Sequence, residues 1–160
     1  MFELIFKMVQ FLSAGSLGLF AGSMLTEACV LVPYWRSLEP PEFLGWYGKN
    51  GHRLQGFFGP LTIITGLLAI AAAGLSVWQG LPGRWLLLAA AVIIVLVIST
   101  FYIYFGKANA SFTAAPLPVK DVPSELVRWA TWHWWRTGLS FLALAAALLS
   151  LWRHQASLFE

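Results

Sequence analysis

The stretch RWLLLAAAVIIVLVISTFYIYFG, Arg84 to Gly106, decides the fold. After its opening arginine no charged side chain interrupts it. A helix crossing a bilayer needs about 20 apolar residues, and this run supplies them. Three further runs of the same kind lie on either side of it. The first span covers roughly Met8 to Tyr34, the second Leu54 to Trp78, the third Arg84 to Gly106 and the fourth Ser124 to Trp152. The chain of 160 residues is 59% apolar and only 11% charged, more apolar surface than a water-soluble domain of this size can bury. The expected fold is all-α: an integral membrane four-helix bundle, up-down-up-down, in a single transmembrane domain. The expected location is a bacterial inner (cytoplasmic) membrane, crossed several times.

The connections carry most of the charge. QGLPG between the second and third spans is a tight turn, which makes those helices antiparallel neighbours. RSLEPPEFLGWYGKNGH and KANASFTAAPLPVKDVPSE are longer. Prolines 40, 41, 116, 118 and 123 are expected to keep them non-helical, with Ser124 capping the fourth helix. Trp35, Trp46, Tyr47, Trp78, Trp85, Tyr102 and Trp152 fall near span ends, as interfacial aromatic belts require. Lys7 ahead of an apolar run raises the question of a signal peptide. The run is too long for a signal core and reads as a retained span.

Several classes are disfavoured. The net charge of +3 is spread over loops, without the basic stripe that nucleic acid demands. One cysteine, Cys29, allows neither an internal disulfide nor a cysteine-based metal cluster within the chain, and reads as a small packing residue. Gly18 and Gly22 form a Gly-x-x-x-Gly pair, suited to close helix packing inside the bundle or to a homo-oligomer. A transporter would show paired broken helices in two repeats, which four short spans lack.

The polar residues gather by connectivity. Let side A be the end of the bundle that holds the N-terminus and side B the opposite end. Span one ends at side B about two turns after Glu27, and span two starts there after His52. Span three ends there just before Asn109, and span four starts there with WATWHWWRTGLS, which holds His133 and Arg136. Side A offers only Glu3, Lys7, Arg84, Arg153, His154 and Glu160, with His154 read as a solvated tail residue. A carboxylate in the hydrocarbon region costs roughly 2.5–3.5 kcal/mol on insertion scales, so Glu27 should face the interior and have a partner. Trp129 and His133 share a helix face at i, i+4, and Arg136 comes at i+3 from His133.

Two histidines and a carboxylate suit a first-row metal ion, iron foremost, with copper, zinc or manganese as alternatives. The expected ligands are Glu27, His52 and His133. Arg136 and Asn109 would orient substrate or bound oxygen. A haem b between His52 and His133 is an alternative, and a purely structural Glu–His–Arg network in a non-catalytic membrane subunit is another. Gln55 and Thr62 lie nearby and have backbone around Pro60 to bond instead.

Three motifs carry a family resemblance: LFAGSMLTEACVLVPYW in the first span, YFGKANASF at the end of the third and WATWHWWRTGL at the start of the fourth. Together, from about Gly15 to Leu151, they resemble the anthrone oxygenase-like family of small four-helix membrane proteins. KANAS stands where the family often has Pro-Leu-Asn. The resemblance implies a four-helix bundle and, for some members, oxidation of polycyclic aromatic substrates. The positions that match are Asn109, Trp129, His133 and Arg136. The function expected overall is a metal-binding oxidoreductase, oxygenase-like, acting on a lipophilic aromatic or quinone-like molecule in the bilayer.

Overall fold

The computed structural model describes residues 2–113 and 117–156, and the side chains through 154. Four long helices build it. Helix α1 covers Phe2–Ser37, α2 Pro40–Trp78, α3 Arg84–Ser111 and α4 Val122–Ala156, the last preceded by a 3₁₀ turn at Val119–Asp121. Each packs on two neighbours: α1 on α2 and α4, α3 on α2 and α4. The chain is a multi-pass membrane protein and an all-α four-helix bundle, with successive helices antiparallel. All four are long and apolar enough to cross a membrane.

The helices extend further than the apolar runs alone suggest. Only Leu38 and Glu39 interrupt the first connection. Pro40 and Pro41 start α2 rather than excluding helix, because the first-turn N–H groups have no intrahelical partner to lose. Glu39 and Glu42 close a reciprocal capping box over that start. Pro123 sits likewise in the first turn of α4, so Ser124 lies inside the helix and donates to the Asp121 carbonyl instead of capping. Pro116 and Glu160 lie outside the described residues. The tight turn appears as expected, with Gly80 and Gly83 at φ 63° and 78°, a region that favours glycine.

Two helices contain a widened π turn. In α1 it spans Glu27–Leu31, closed by the Val32 N–H bonding the Glu27 carbonyl five residues back. Pro33 explains it: the ring cannot sit over the Cys29 carbonyl, and the helix opens to make room. In α3 the π turn spans Phe101–Phe105, closed by Gly106 N–H to the Phe101 carbonyl. A β-carbon at Gly106 would lie 3.1 Å from that same oxygen, so glycine permits this closure.

The interior divides in two. Toward side A lies a core of small and aliphatic side chains, including Leu17, Ala69, Ala72, Ala90, Ile94, Ala143 and Ala147. Toward side B lies an aromatic core of Trp35, Phe43, Tyr47, Phe105, Phe112 and Trp129. Trp35 and Tyr47 are therefore buried, not interfacial, and Trp46 is half-buried; Trp78, Trp85, Tyr102 and Trp152 do face outward. Cys29 also faces outward instead of packing inside. His154 is buried with its ring against Phe6, not solvated. Gly18 meets Leu144 of α4 across the bundle, whereas Gly22 faces open space.

Candidate functional site

The two cores leave a cavity of about 270 Å³ between them. Glu27 and Met24 of α1, Tyr47, Gln55, Gly59 and Thr62 of α2, Phe101, Tyr102 and Asn109 of α3, and Trp129 and Arg136 of α4 contribute to its walls. Both π turns border it, and Pro60 interrupts the α2 ladder beside it. Widened turns recur at functional sites because they turn a side chain out of the α-helical register. Here one starts at Glu27 and the other at Phe101.

A chain of polar contacts runs along one wall. Arg136 Nη2 donates to Glu27 Oε2 at 3.1 Å, and Arg136 Nε donates to His133 Nδ1 at 2.9 Å. His133 Nε2 lies 2.9 Å from the Met24 carbonyl. That pattern assigns the neutral Nε2–H tautomer, donating to Met24 and accepting from Arg136. The 3.6 Å between His133 Nδ1 and Glu27 Oε2 is then proximity, not a hydrogen bond. The Arg136 guanidinium lies 3.9 Å over the Phe105 ring, and Trp129 stacks on His133 at 5.0 Å. The Trp129 indole donates to Asn109 Oδ1 at 2.9 Å. Glu27 and His133 are 3% and 0% exposed. A buried carboxylate is tolerable here because a guanidinium is bonded to it.

Among the described residues, Glu27 Oε1, Arg136 Nη1 and Asn109 Nδ2 take no protein hydrogen bond. All three residues line the cavity, where the polar groups of Tyr47, Gln55 and Tyr102 join them in a wall that is otherwise largely apolar. Thr62 is spent on the Phe58 carbonyl at 2.6 Å.

The structure brings together four of the five residues singled out from sequence: Glu27, Asn109, His133 and Arg136. It does not bring His52, which is exposed on α2 and absent from the cavity wall. The expected ligand set Glu27, His52 and His133 therefore does not assemble. Both ring nitrogens of His133 are already bonded, and among the described residues no three His, Cys, Asp or Glu side chains gather as metal ligands. Nor does the axial pair expected for haem b form, since His52 is exposed and both ring nitrogens of His133 are bonded. The reason is helical phase: His52 and Arg53 flank the inward row Tyr47, Gly51 and Gln55 rather than joining it.

Phe20, Phe58 and Gly59 line the cavity without having been singled out, and Tyr47, expected at the interface, lines it too. Tyr47, Gly51, Gln55, Gly59 and Ile63 recur every four residues, a pattern legible only once the helix is known to begin at Pro40. A β-carbon at Gly59 would meet nothing within 4 Å, so this glycine leaves cavity volume unfilled. Comparison with protein-family models, with curated proteins and with solved structures finds no match in any of the three.

Proposed function

We propose that this four-helix membrane protein is an oxidoreductase that binds a lipophilic aromatic or quinone-like molecule in the cavity and handles its oxygen with Glu27 and Arg136. The observation that carries this reading is the pair of uncommitted atoms, Glu27 Oε1 and Arg136 Nη1, on an aromatic-lined cavity between the helices. A ligand hydroxyl donates to the carboxylate, and a ligand carbonyl or oxyanion accepts from the guanidinium. Passing the hydroxyl proton to Glu27 leaves the electron pair on that same oxygen, as a phenolate that the adjoining Arg136 guanidinium stabilises. The anion gives two electrons to dioxygen, the proposed electron acceptor; the second hydroxyl proton and the one returned by Glu27 go with them, so a quinone and hydrogen peroxide leave and Glu27 is again a carboxylate. His133 keeps Arg136 aimed by accepting from its Nε, and Asn109 holds Trp129 in the wall. No metal enters this reading, because the donor set for one is not gathered. It accords with the family resemblance carried by Asn109, Trp129, His133 and Arg136.

The proposed location is a bacterial inner membrane with side B in the cytoplasm. Arg36, Lys49, Arg53, Lys107, Lys120 and Arg128 are exposed at side B, and basic residues are retained on the cytoplasmic face. The function is tested with protein in lipid nanodiscs titrated with 1,4-naphthoquinone, read by quenching of tryptophan fluorescence. Saturable binding is expected in the parent and a loss of at least tenfold in Gly59→Leu, which fills the cavity. Equal binding by both proteins would sink the reading. The enzyme assay is oxygen uptake with the corresponding hydroquinone, abolished in Glu27→Gln.

A further inference from the structure

Two helices carry an exposed aromatic pair at the same separation. On α3, Trp85 and Tyr102 are 66% and 78% exposed; on α4, Trp135 and Trp152 are 71% and 67% exposed. Each pair is seventeen residues apart, about 25 Å at 1.5 Å per residue. That is close to the roughly 30 Å hydrocarbon thickness of a bilayer. Apart from Arg136, adjoining Trp135, neither stretch between them holds a charged residue. If the two pairs sit at the interfaces, as aromatic belts do, the side-B boundary passes through Tyr102 and Trp135.

Interhelical bonds carry that level to the other helices. His133 bonds the Met24 carbonyl, and Arg136 bonds Glu27, so the boundary crosses α1 at Met24–Glu27. Thr65 bonds the Ser16 carbonyl. Eight residues toward side B on each of these antiparallel helices, the level of Met24 on α1 is that of Phe57 on α2. The boundary therefore cuts the cavity. Phe20, Ile63, Val97 and Ile98 line it on the hydrocarbon side. Tyr47, Gln55 and Asn109 line it beyond the boundary, with Glu27 and Arg136 at the boundary itself.

The wall residues also show where the cavity opens. Ile63 is 62% exposed and Tyr102 78% exposed, on α2 and α3. Both line the cavity and both face outward, at or below the boundary. Gly59, one turn from Ile63 on α2 and also in the cavity wall, leaves open space beside it.

We infer that the gap between Ile63 and Tyr102 is a lateral portal in the side-B leaflet. Through it the cavity takes a small single-headed amphiphile, its polar end toward side B against Glu27, Arg136 and Asn109 and its rings inward. This deepens the proposed function and rests on it. A cavity of about 270 Å³ lies near the lower end of ligand pockets, which run from about 300 Å³. It suits one or two fused rings with a terminal hydroxyl or carbonyl.

The test uses spin labels in vesicles, on a Cys29→Ser background, with 1-naphthol as probe. Labels go at Ile63→Cys and Tyr102→Cys beside the portal, at Gln55→Cys beyond the boundary, and at Val92→Cys on the lipid face of α3 as control. The Ile63 label should relax with oxygen and not with a water-soluble nickel chelate, and the Gln55 label the reverse. Saturating 1-naphthol should slow the Ile63 and Tyr102 labels at least twofold and leave the Val92 label unchanged. Naphthalene, lacking the hydroxyl, should need at least tenfold more ligand for the same effect. Calorimetry on the unlabelled protein separates the two claims. If 1-naphthol does not bind, the pocket reading itself falls. If it binds while the portal labels stay mobile, or if the Ile63 label is open to nickel, the pocket stands and the portal is overturned. Equal affinity for naphthalene overturns the head-group orientation.

Discussion

Arg136 is the residue on which the site depends. It bonds a carboxylate on α1 and an imidazole on its own helix, and it lies over the Phe105 ring. Removing one partner of a buried ion pair leaves the other charge uncompensated, at a cost of about 3–5 kcal/mol. Arg136→Leu should therefore lower stability by that amount, seen as a lower unfolding midpoint in detergent. The double variant Arg136→Leu with Glu27→Gln should recover at least half of it, because no lone charge remains. Equal loss in both proteins would show that Arg136 acts through packing alone. Asn109→Leu removes the acceptor of the Trp129 indole. A buried donor left without a partner costs about 1–3 kcal/mol, with a change in Trp129 emission as the second readout. His52→Ala should change neither stability nor ligand binding, since His52 is exposed and off the cavity wall. A tenfold loss of binding there would restore it to the site.

Most of the site is legible from residues alone. A carboxylate inside an apolar run demands an interior partner, and that demand leads from Glu27 to His133, Arg136 and Asn109. His52 escapes the same logic for a physical reason. Connectivity fixes which end of the bundle a residue occupies, but only helical phase fixes which way it faces. A proline pair that starts a helix rather than ending one puts His52 inside α2, on its outer side, instead of in a loop free to turn inward.

At the scale of elements, the cavity lies where helices depart from regular α geometry. Pro33 opens a π turn at Glu27–Leu31, and Gly106 allows another at Phe101–Phe105. Each adds a residue to one turn and so rotates the remainder of its helix by about 100° relative to a straight α-helix. That rotation lets Glu27 reach Arg136 while Val32 and Trp35 still point into the aromatic core. Gly106→Ala forces a β-carbon toward the Phe101 carbonyl, 3.1 Å away. It should cost about 1–3 kcal/mol, the range for overpacking a filled interior. It should also weaken naphthoquinone binding, because Phe101 and Tyr102 line the cavity. A variant as stable as the parent would show that the π turn needs no glycine. The signals are present in the sequence as a proline and a glycine near the ends of two spans. Whether each widens a turn or ends the helix depends on the packing of the residues beyond it, which the signals alone do not carry.

At the scale of the whole molecule, two cores of different character share one bundle. Alanines and aliphatic residues fill the side-A core, whereas Trp35, Phe43, Tyr47, Phe112 and Trp129 fill the side-B core. Phe43 is 0% exposed and touches the rings of Trp35, Tyr47 and Phe112. Phe43→Ala should destabilise the protein by about 3–5 kcal/mol and raise the exchange of side-B amides before those of side A. Uniform exchange across both ends would refute two separately stable cores. With side B cytoplasmic, a cysteine at Lys49 on the Cys29→Ser background should react with an impermeant maleimide only in inverted vesicles. Reaction in intact cells would reverse the orientation.

The number of membrane helices, their antiparallel order and the end at which the polar residues collect are all properties of one chain read in line. Apolar length and charge-free runs determine them without reference to any contact. Which of those polar residues meet, that His133 supports Arg136 instead of offering a free nitrogen, and that two widened turns enclose a cavity belong to the tertiary structure. The rotation of one helix against another is set by side chains distant in sequence, and a change of one residue in phase turns a ligand into a surface group.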